Sequence, residues 1–377
     1  MKLGNETGAL LSNQANLPYE GRDYDRVLLN TYKALDYLAL GQVDKARPEL
    51  IRAYQRQQDA VANNQKRIEK EQDDIRKAKE EPSGQSAAES VERAQKDPQV
   101  SGALDTHFKP LDKLNAYADY VNPFPVYLDG IYFMHLAADA SDKERARKSF
   151  ERVRGLSGDN AFIRRDLEIA EKVANGQPAP AMTYVVFETG SAPWRGQFRI
   201  DLPVFFIGDG NVPYVGAAFP TLELDGNYVS GLTAATAAGP NVTVTLSSMD
   251  SVVGQDFKNA LPTIITKTML STTIKAVGAY AVNKAASDQN ALGGLLAKVV
   301  TGVMQAVVNI SDTRTWTTLP KEYQFCSFPT PADGKIDLSL PNGQRSSVSV
   351  VANSVNLIWV RSVQPGAPLI VQTTKLK

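Results

Sequence analysis

The sequence holds one cysteine, Cys326, and two histidines, His107 and His135. One thiol excludes an internal disulfide and a thiolate metal cage, and neither histidine has a Cys or His partner at ligand spacing. The expectation is no metal, no cofactor and no catalytic residue; His135, with Asp139 four residues on, reads as half of a surface pair. The 41 Lys and Arg balance 41 Asp and Glu, so the basic footprint of a nucleic-acid binder is missing. No uninterrupted apolar run reaches the roughly 18 residues of a spanning helix. The opening "MKLGNETGALLSNQ" lacks the charged, apolar and cleavage regions of a signal peptide. G-x-S-x-G, P-loop and H-E-x-x-H are absent too. "FIGDGNVPYVG" is glycine-rich, but it lacks the G-x-G-x-x-G order and leads into no helix, so it reads as a loop.

What is present is an uneven distribution of charge. Residues 1–180 carry 56 of the charged side chains and the remaining 197 residues only 26, with Val, Thr, Gly and Pro in their place. The break predicts a linker at 177–181, in "ANGQPAPAMT", between units 1–176 and 182–377. Chain length is ample for two cores.

In the first unit Leu28, Tyr32, Leu35 and Leu38 form one apolar helical face, and Gly41 ends the helix. A second helix begins near Asp44, with Pro48 close to its first turn and Ala46, Leu50, Ala53 and Tyr54 on its inner face. Small residues at these offsets fit the tetratricopeptide helix pair, in which they let two helices approach closely. A looser copy follows: Gly130 and Phe133 stand at the offsets of Ala34 and Tyr37, and Ala146, Phe150 and Val153 repeat the spacing of Ala46, Leu50 and Ala53. "AFIRRDLEIAEKVANG" reads as a closing helix. Two units and a cap are few for a stacked array, so a neighbouring surface is expected to cover them. Residues 55–98, rich in Gln, Lys and Glu, read as two exposed helices broken at Pro82–Gly84, either a projecting coiled coil or a solvated extension.

The second unit changes period. "TYVVFETG", "GQFRIDLPVFF", "VTVTLSS", "KIDLSL", "RSSVSVV", "VNLIWVRS" and "PLIVQTT" are β-branched runs between Gly, Pro, Asn and Asp clusters. Asn342-Gly343 marks a tight hairpin. "EYQFCSFP" adds a strand-like stretch in which Cys326 reads as a buried small hydrophobe. Two apolar helical stripes predict a hairpin at 257–308 laid across the sheet. The expected fold is α + β and multidomain: an N-terminal tetratricopeptide-like helical repeat domain with a charged insertion, then a β-rich domain with an inserted helical hairpin.

The blocks "YEGRDYDRVLLNTYKALDYLALGQVDKARPELIRAYQRQ", "YVVFETGSAPWRGQFRIDLPVF", "SDTRTWTTLPKEYQFCSF" and "PGAPLIVQTTKLK" occur in an order that resembles a group of Gram-negative envelope lipoproteins with tetratricopeptide-like N-termini. The resemblance spans nearly the whole chain. It implies a mature protein lipidated on an N-terminal cysteine, held in the periplasm at the outer membrane, and encoded near a lipoprotein resembling the curli secretion channel. No cysteine precedes Lys2, so localisation rests on the resemblance, and Met1 is expected to stand where signal and lipid anchor would be.

The functional expectation is a non-catalytic scaffold that binds envelope lipoproteins, among them a curli-secretion-channel-like protein. It touches the membrane only through its anchor, and a homo-oligomer is left open. Tyr32, Tyr54, Tyr117, Tyr120 and Tyr127 are the candidate anchors on the helical face, because tyrosine gives large contact area at low entropy cost. Trp194 in "APWRG" and Trp316 in "TRTWTTLP" join them, each beside an arginine able to form a cation–π pair or placed to bridge domains. Two rivals stand beside this reading. A membrane- or pore-associated protein would use the 257–308 hairpin, and an enzyme acting on an envelope polymer would need paired carboxylates.

Overall fold

A computed structural model describes residues 19, 21–114, 117, 121–205, 214–287 and 311–377. Helix α1 (Asp23–Ala39) turns at Gly41, whose φ of 69° suits glycine, into α2 (Val43–Glu80). Leu28, Leu35 and Leu38 of α1 are buried with Ala46 and Leu50 of α2, and Ala46 has no exposed surface. The charged segment does not start a new helix. It continues α2, which runs for 38 residues without interruption, because nothing between Tyr54 and Glu80 breaks the helical pattern. The break comes at Glu81, whose extended backbone (ψ 149°) is what a following proline favours, and α3 (Pro82–Gln95) doubles back. Gly84 lies so close to the Ala78 carbonyl that no Cβ would fit there. Nor is the segment a free projection: Ile75, Ala78 and Ala87 form a small apolar cluster with Leu270 and Ile274 of a later helix.

Helix α4 (Pro98–Phe108) and a 3-10 turn (Lys109–Lys113) lead to the second hairpin, α5 (Pro123–His135) and α6 (Ala140–Ser157), and then α7 (Ala161–Ala174). Side-chain caps fix where these begin: Asn122 accepts from the Phe124 N–H, Asp139 from Asp142, and Asn160 from Phe162 and Ile163, each at 3.0 Å. Gly130 of α5 faces the Phe150 ring of α6, where a Cβ would stand 3.0 Å from the ring carbons.

The strands are β1 (Met182–Thr189), β2 (Trp194–Pro203), β3 (Tyr214–Glu223), β4 (Thr233–Thr236), β5 (Gly239–Val242), β6 (Val244–Ser248), β7 (Glu322–Pro329), β8 (Lys335–Ser339), β9 (Arg345–Ser349), β10 (Asn356–Ser362) and β11 (Ile370–Lys375). Helix α8 (Met249–Ser287) follows β6. A central sheet runs β11-β10-β1-β7-β6, in which β1 and β10 pair in parallel and the other neighbours antiparallel. A second sheet runs β5-β4-β8-β9, and β2 and β3 pair separately. Asn342-Gly343 lies in the β8–β9 turn, with Gly343 at φ 88°.

Alternation along β1 explains the layering. Tyr184 and Val186 face the helices, while Val185 and Phe187 face the second sheet with Cys326, Ile358, Ile336 and Leu338. The helical layer, the central sheet and the second sheet are therefore stacked, and the chain is mixed α and β with its helices mostly in the N-terminal half. The helical core has its cover: Phe124 stacks on Tyr323 at 4.1 Å and Tyr127 meets Phe325 at 4.6 Å. One continuous apolar cluster runs from Tyr24 in α1 to Leu376 beyond β11. His135 is not half of a surface pair. It is buried against the Tyr184 hydroxyl at 2.8 Å, and burial lowers its pKa to about 3.

Helix α8 starts earlier than position 257, contains Pro262 and covers the first stretch of the expected 257–308 hairpin. Its second arm, residues 288–308, lies outside the described residues, as do Tyr120 and residues 206–213 of the glycine-rich loop. Asp256 of α8 is the hub of a buried charge cluster. Arg67 of α2 stands at 3.0 Å, Arg22 before α1 and Arg195 of β2 each at 4.0 Å.

Candidate functional site

Where α1 crosses the edge of the central sheet, aromatic side chains from three chain segments meet. Tyr32 lies on the inner face of α1, Trp359 on the helix-facing side of β10, and Trp316 on the segment before β7. Tyr32 stacks on Trp359 (5.6 Å between centroids, 30° between planes) and meets Trp316 tilted (6.0 Å, 54°). Between them opens a cleft of about 240 Å³, lined also by Thr318, Arg361, Ile370 and Gln372. Trp316 donates its indole N–H to Thr318 Oγ1 at 2.6 Å, which holds the ring in place. Arg314, the arginine expected beside Trp316, lies over the Tyr19 ring at 5.7 Å.

A charged pair forms the cleft floor. Glu188 and Arg361 face each other across the parallel β1–β10 ladder, with Arg361 Nη1 2.8 Å from Glu188 Oε2. Tyr32 Oη donates to Glu188 Oε1 at 2.9 Å and lies 2.9 Å from Tyr323 Oη. Burial raises the Glu188 carboxyl to about 7, although Arg361 and Tyr32 favour its charged form. Burial likewise holds the Tyr32 hydroxyl far above its ordinary value. The second guanidinium nitrogen of Arg361 donates to the Thr318 carbonyl. The carboxylate has no exposed surface, and its partners consume both of its oxygens. What remains accessible is an aromatic wall beside the Glu188–Arg361 pair.

The other candidate residues scatter. Tyr54 is half-buried on α2 beneath Arg145 (5.1 Å) and Arg152 (5.8 Å), beside a separate opening of about 420 Å³ with Lys148 and Glu144 on its rim. Tyr117 accepts the Ser248 N–H at 2.9 Å and so pins the edge of β6. Tyr127 is a correction: it is fully buried, donates to Asp166 at 2.8 Å, and cannot meet a partner. Trp194 is 41% exposed at the start of β2, while its neighbour Arg195 lies over Phe257 at 5.4 Å. Among the described candidates, the structure therefore unites only Tyr32 and Trp316.

Trp359, Glu188, Arg361 and Gln372 were missed by sequence reasoning. The signal was available in "YVVFETG" and "VNLIWVRS": a charged residue placed inside an apolar strand run must find a partner, and alternation puts Trp359 and Arg361 on one face. Among the described residues no group of three His, Cys, Asp or Glu could hold a metal ion, and no helix is long and apolar enough to cross a membrane. No protein-family model, curated protein or solved structure matches the chain.

Proposed function

We propose that the protein is a non-catalytic binding component of the cell envelope, with the Tyr32–Trp316–Trp359 cleft as its recognition site for a protein partner. The cleft itself carries this reading. Large aromatic rings with restricted rotamers surround an opening at a seam between layers, the composition and placement of a binding hot spot. A hydrolytic reading is less well served, because the nearest carboxyl, Glu188, is buried and shared by Arg361 and Tyr32. The resemblance of the sequence blocks supplies the setting: an outer-membrane-anchored periplasmic lipoprotein whose partners are other envelope lipoproteins, a curli-secretion-channel-like protein among them. In the same reading, α1–α2 and α5–α6 are two degenerate tetratricopeptide-like units. The close approaches at Ala46, and at Gly130 against Phe150, support that view. Helix α8 is then one arm of an apolar hairpin covering the helical layer.

The test places a photo-crosslinking amino acid at Thr318, on the cleft rim, or at exposed Lys70 on α2, in the anchored protein within envelope membranes. An adduct with an envelope lipoprotein from Thr318 and none from Lys70 is expected. Turnover of peptidoglycan fragments that Glu188→Gln abolishes would favour the enzyme instead, and liposome flotation of the unanchored chain would favour the membrane role.

A further inference from the structure

The central sheet treats its two edges differently. At the β6 edge, Ser157 donates to the Leu246 carbonyl at 2.7 Å and Tyr117 accepts the Ser248 N–H, so side chains occupy main-chain groups that a foreign strand would need. At the other edge, β11 pairs only with β10. Ile370, Gln372, Thr373 and Lys375 of β11 are exposed, Ile370 by 61%. The strand carries no proline and no bulge, and Lys375 is its one charged residue. Natural edge strands are usually blunted by such devices.

The phase of the ladder tells which groups are free. Leu376 N donates to the Val355 carbonyl at 2.8 Å, and Val355 N donates to that of Lys377 at 2.9 Å. Alternation from that point makes Thr374, Gln372 and Ile370 the residues that bond to Leu357, Trp359 and Arg361. The N–H and C=O groups of Val371, Thr373 and Lys375 therefore turn away from β10, and among the described residues nothing pairs with them. The side chains of Ile370 and Gln372 stand on the helix-facing side, where they line the aromatic cleft.

A free main-chain edge and a large apolar opening share these two residues, and they call for one kind of ligand. We infer that β11 accepts an extended peptide segment of a partner protein as a sixth strand, which lodges an aromatic or branched aliphatic side chain in the cleft of Tyr32, Trp316 and Trp359. Main-chain hydrogen bonds supply affinity and the cleft supplies selectivity. Strands lie about 4.8 Å apart, so alternate side chains of the added strand emerge beside Ile370 and Gln372, at the cleft mouth. Arg361 is engaged by Glu188 and the Thr318 carbonyl, and the rings of Tyr32, Trp316 and Trp359 make up most of the remaining wall, which suits an apolar side chain. This inference rests on the reading of the cleft as a binding site.

The probe is a phage-displayed library of short random peptides selected on the full chain, followed by anisotropy titration of a labelled selected peptide. Thr373→Pro and Val371→Pro each remove an N–H that bonds nothing in the free protein, and proline is tolerated at such edge positions. Each should weaken binding about tenfold or more, as should Trp316→Ala, while Lys70→Ala leaves it unchanged. Thermal melts show whether each variant is folded, and the two prolines serve as alternatives to one another. If Trp316→Ala weakens binding while the folded proline variants do not, strand addition is overturned and the cleft stands. If no peptide is enriched, or none responds to Trp316→Ala, both readings fail. A concentration-dependent dimer that Thr373→Pro abolishes would make the occupant a second copy of this chain and overturn the choice of partner.

Discussion

Gly130 offers a test in which the sign of an effect should reverse. The residue lies inside α5, where glycine costs about 1 kcal/mol relative to alanine, so Gly130→Ala in an unconstrained helix would stabilise. Here three carbons of the Phe150 ring stand 3.0 to 3.1 Å from where the new Cβ would be. Phe150 has no room to retreat: it is fully buried and meets Tyr127 edge-on at 5.7 Å. Overpacking of this kind costs about 1–3 kcal/mol, so the net effect of Gly130→Ala should be a loss of about 1 kcal/mol. Phe150→Leu withdraws the ring carbons, at a cost of its own. In that background Gly130→Ala should stabilise by up to about 1 kcal/mol, because only the helix-propensity gain is left. Urea unfolding of the four proteins of the double-mutant cycle measures both numbers. Stabilisation by Gly130→Ala in the wild type would refute the idea that α5 and α6 touch through this glycine.

Two further predictions concern buried charge. Asp256→Asn keeps the shape of the side chain but leaves Arg22, Arg67 and Arg195 without their shared carboxylate; it should cost about 3–5 kcal/mol in urea unfolding, and a loss under about 1 kcal/mol would mean that the cluster is hydrated. Glu188 has a folded pKa of about 7, above the unfolded 4.5, so the fold binds a proton that the unfolded chain has released, and its contribution falls as pH rises through that window. Measured as the wild-type stability minus that of Glu188→Gln, the difference should shrink by about 2 kcal/mol from pH 5.5 to 7.5. Asp166 and His135 titrate in both proteins and cancel. A flat difference would show that Arg361 keeps Glu188 ionised throughout.

Periodicity made much of the architecture legible. The helical faces around Leu28, Leu50 and Phe150, the strand runs from "TYVVFETG" to "PLIVQTT", and the Asn342-Gly343 turn all appear where local pattern places them. The failures have physical causes. Strand β3 contains Gly216 and Pro220, and β5 contains Gly239 and Pro240, residues that argue against strands in isolation and are overridden here by pairing. The charged stretch of α2 looked solvated because the Leu270 and Ile274 that cover it lie about two hundred residues away in the chain. The aromatic cleft needed the parallel register of β1 with β10, which sets Glu188 opposite Arg361 and which no local pattern encodes. Tyr127 looked like an anchor because tyrosine is common at both interfaces and cores, and only its bond to Asp166 decides between them.

The position of β1 carries a consequence for the order of events in synthesis. This strand leaves the ribosome directly after the helices, yet its two neighbours in the sheet, β7 and β10, belong to residues 322–362. Until they arrive, Phe124 and Tyr127 lack the surface that buries them. Non-local closure of this sort is slow, and a nascent chain in that state presents apolar helix faces for as long as translation of the second half takes. The helical half should therefore be a client of chaperones until its final strands are made.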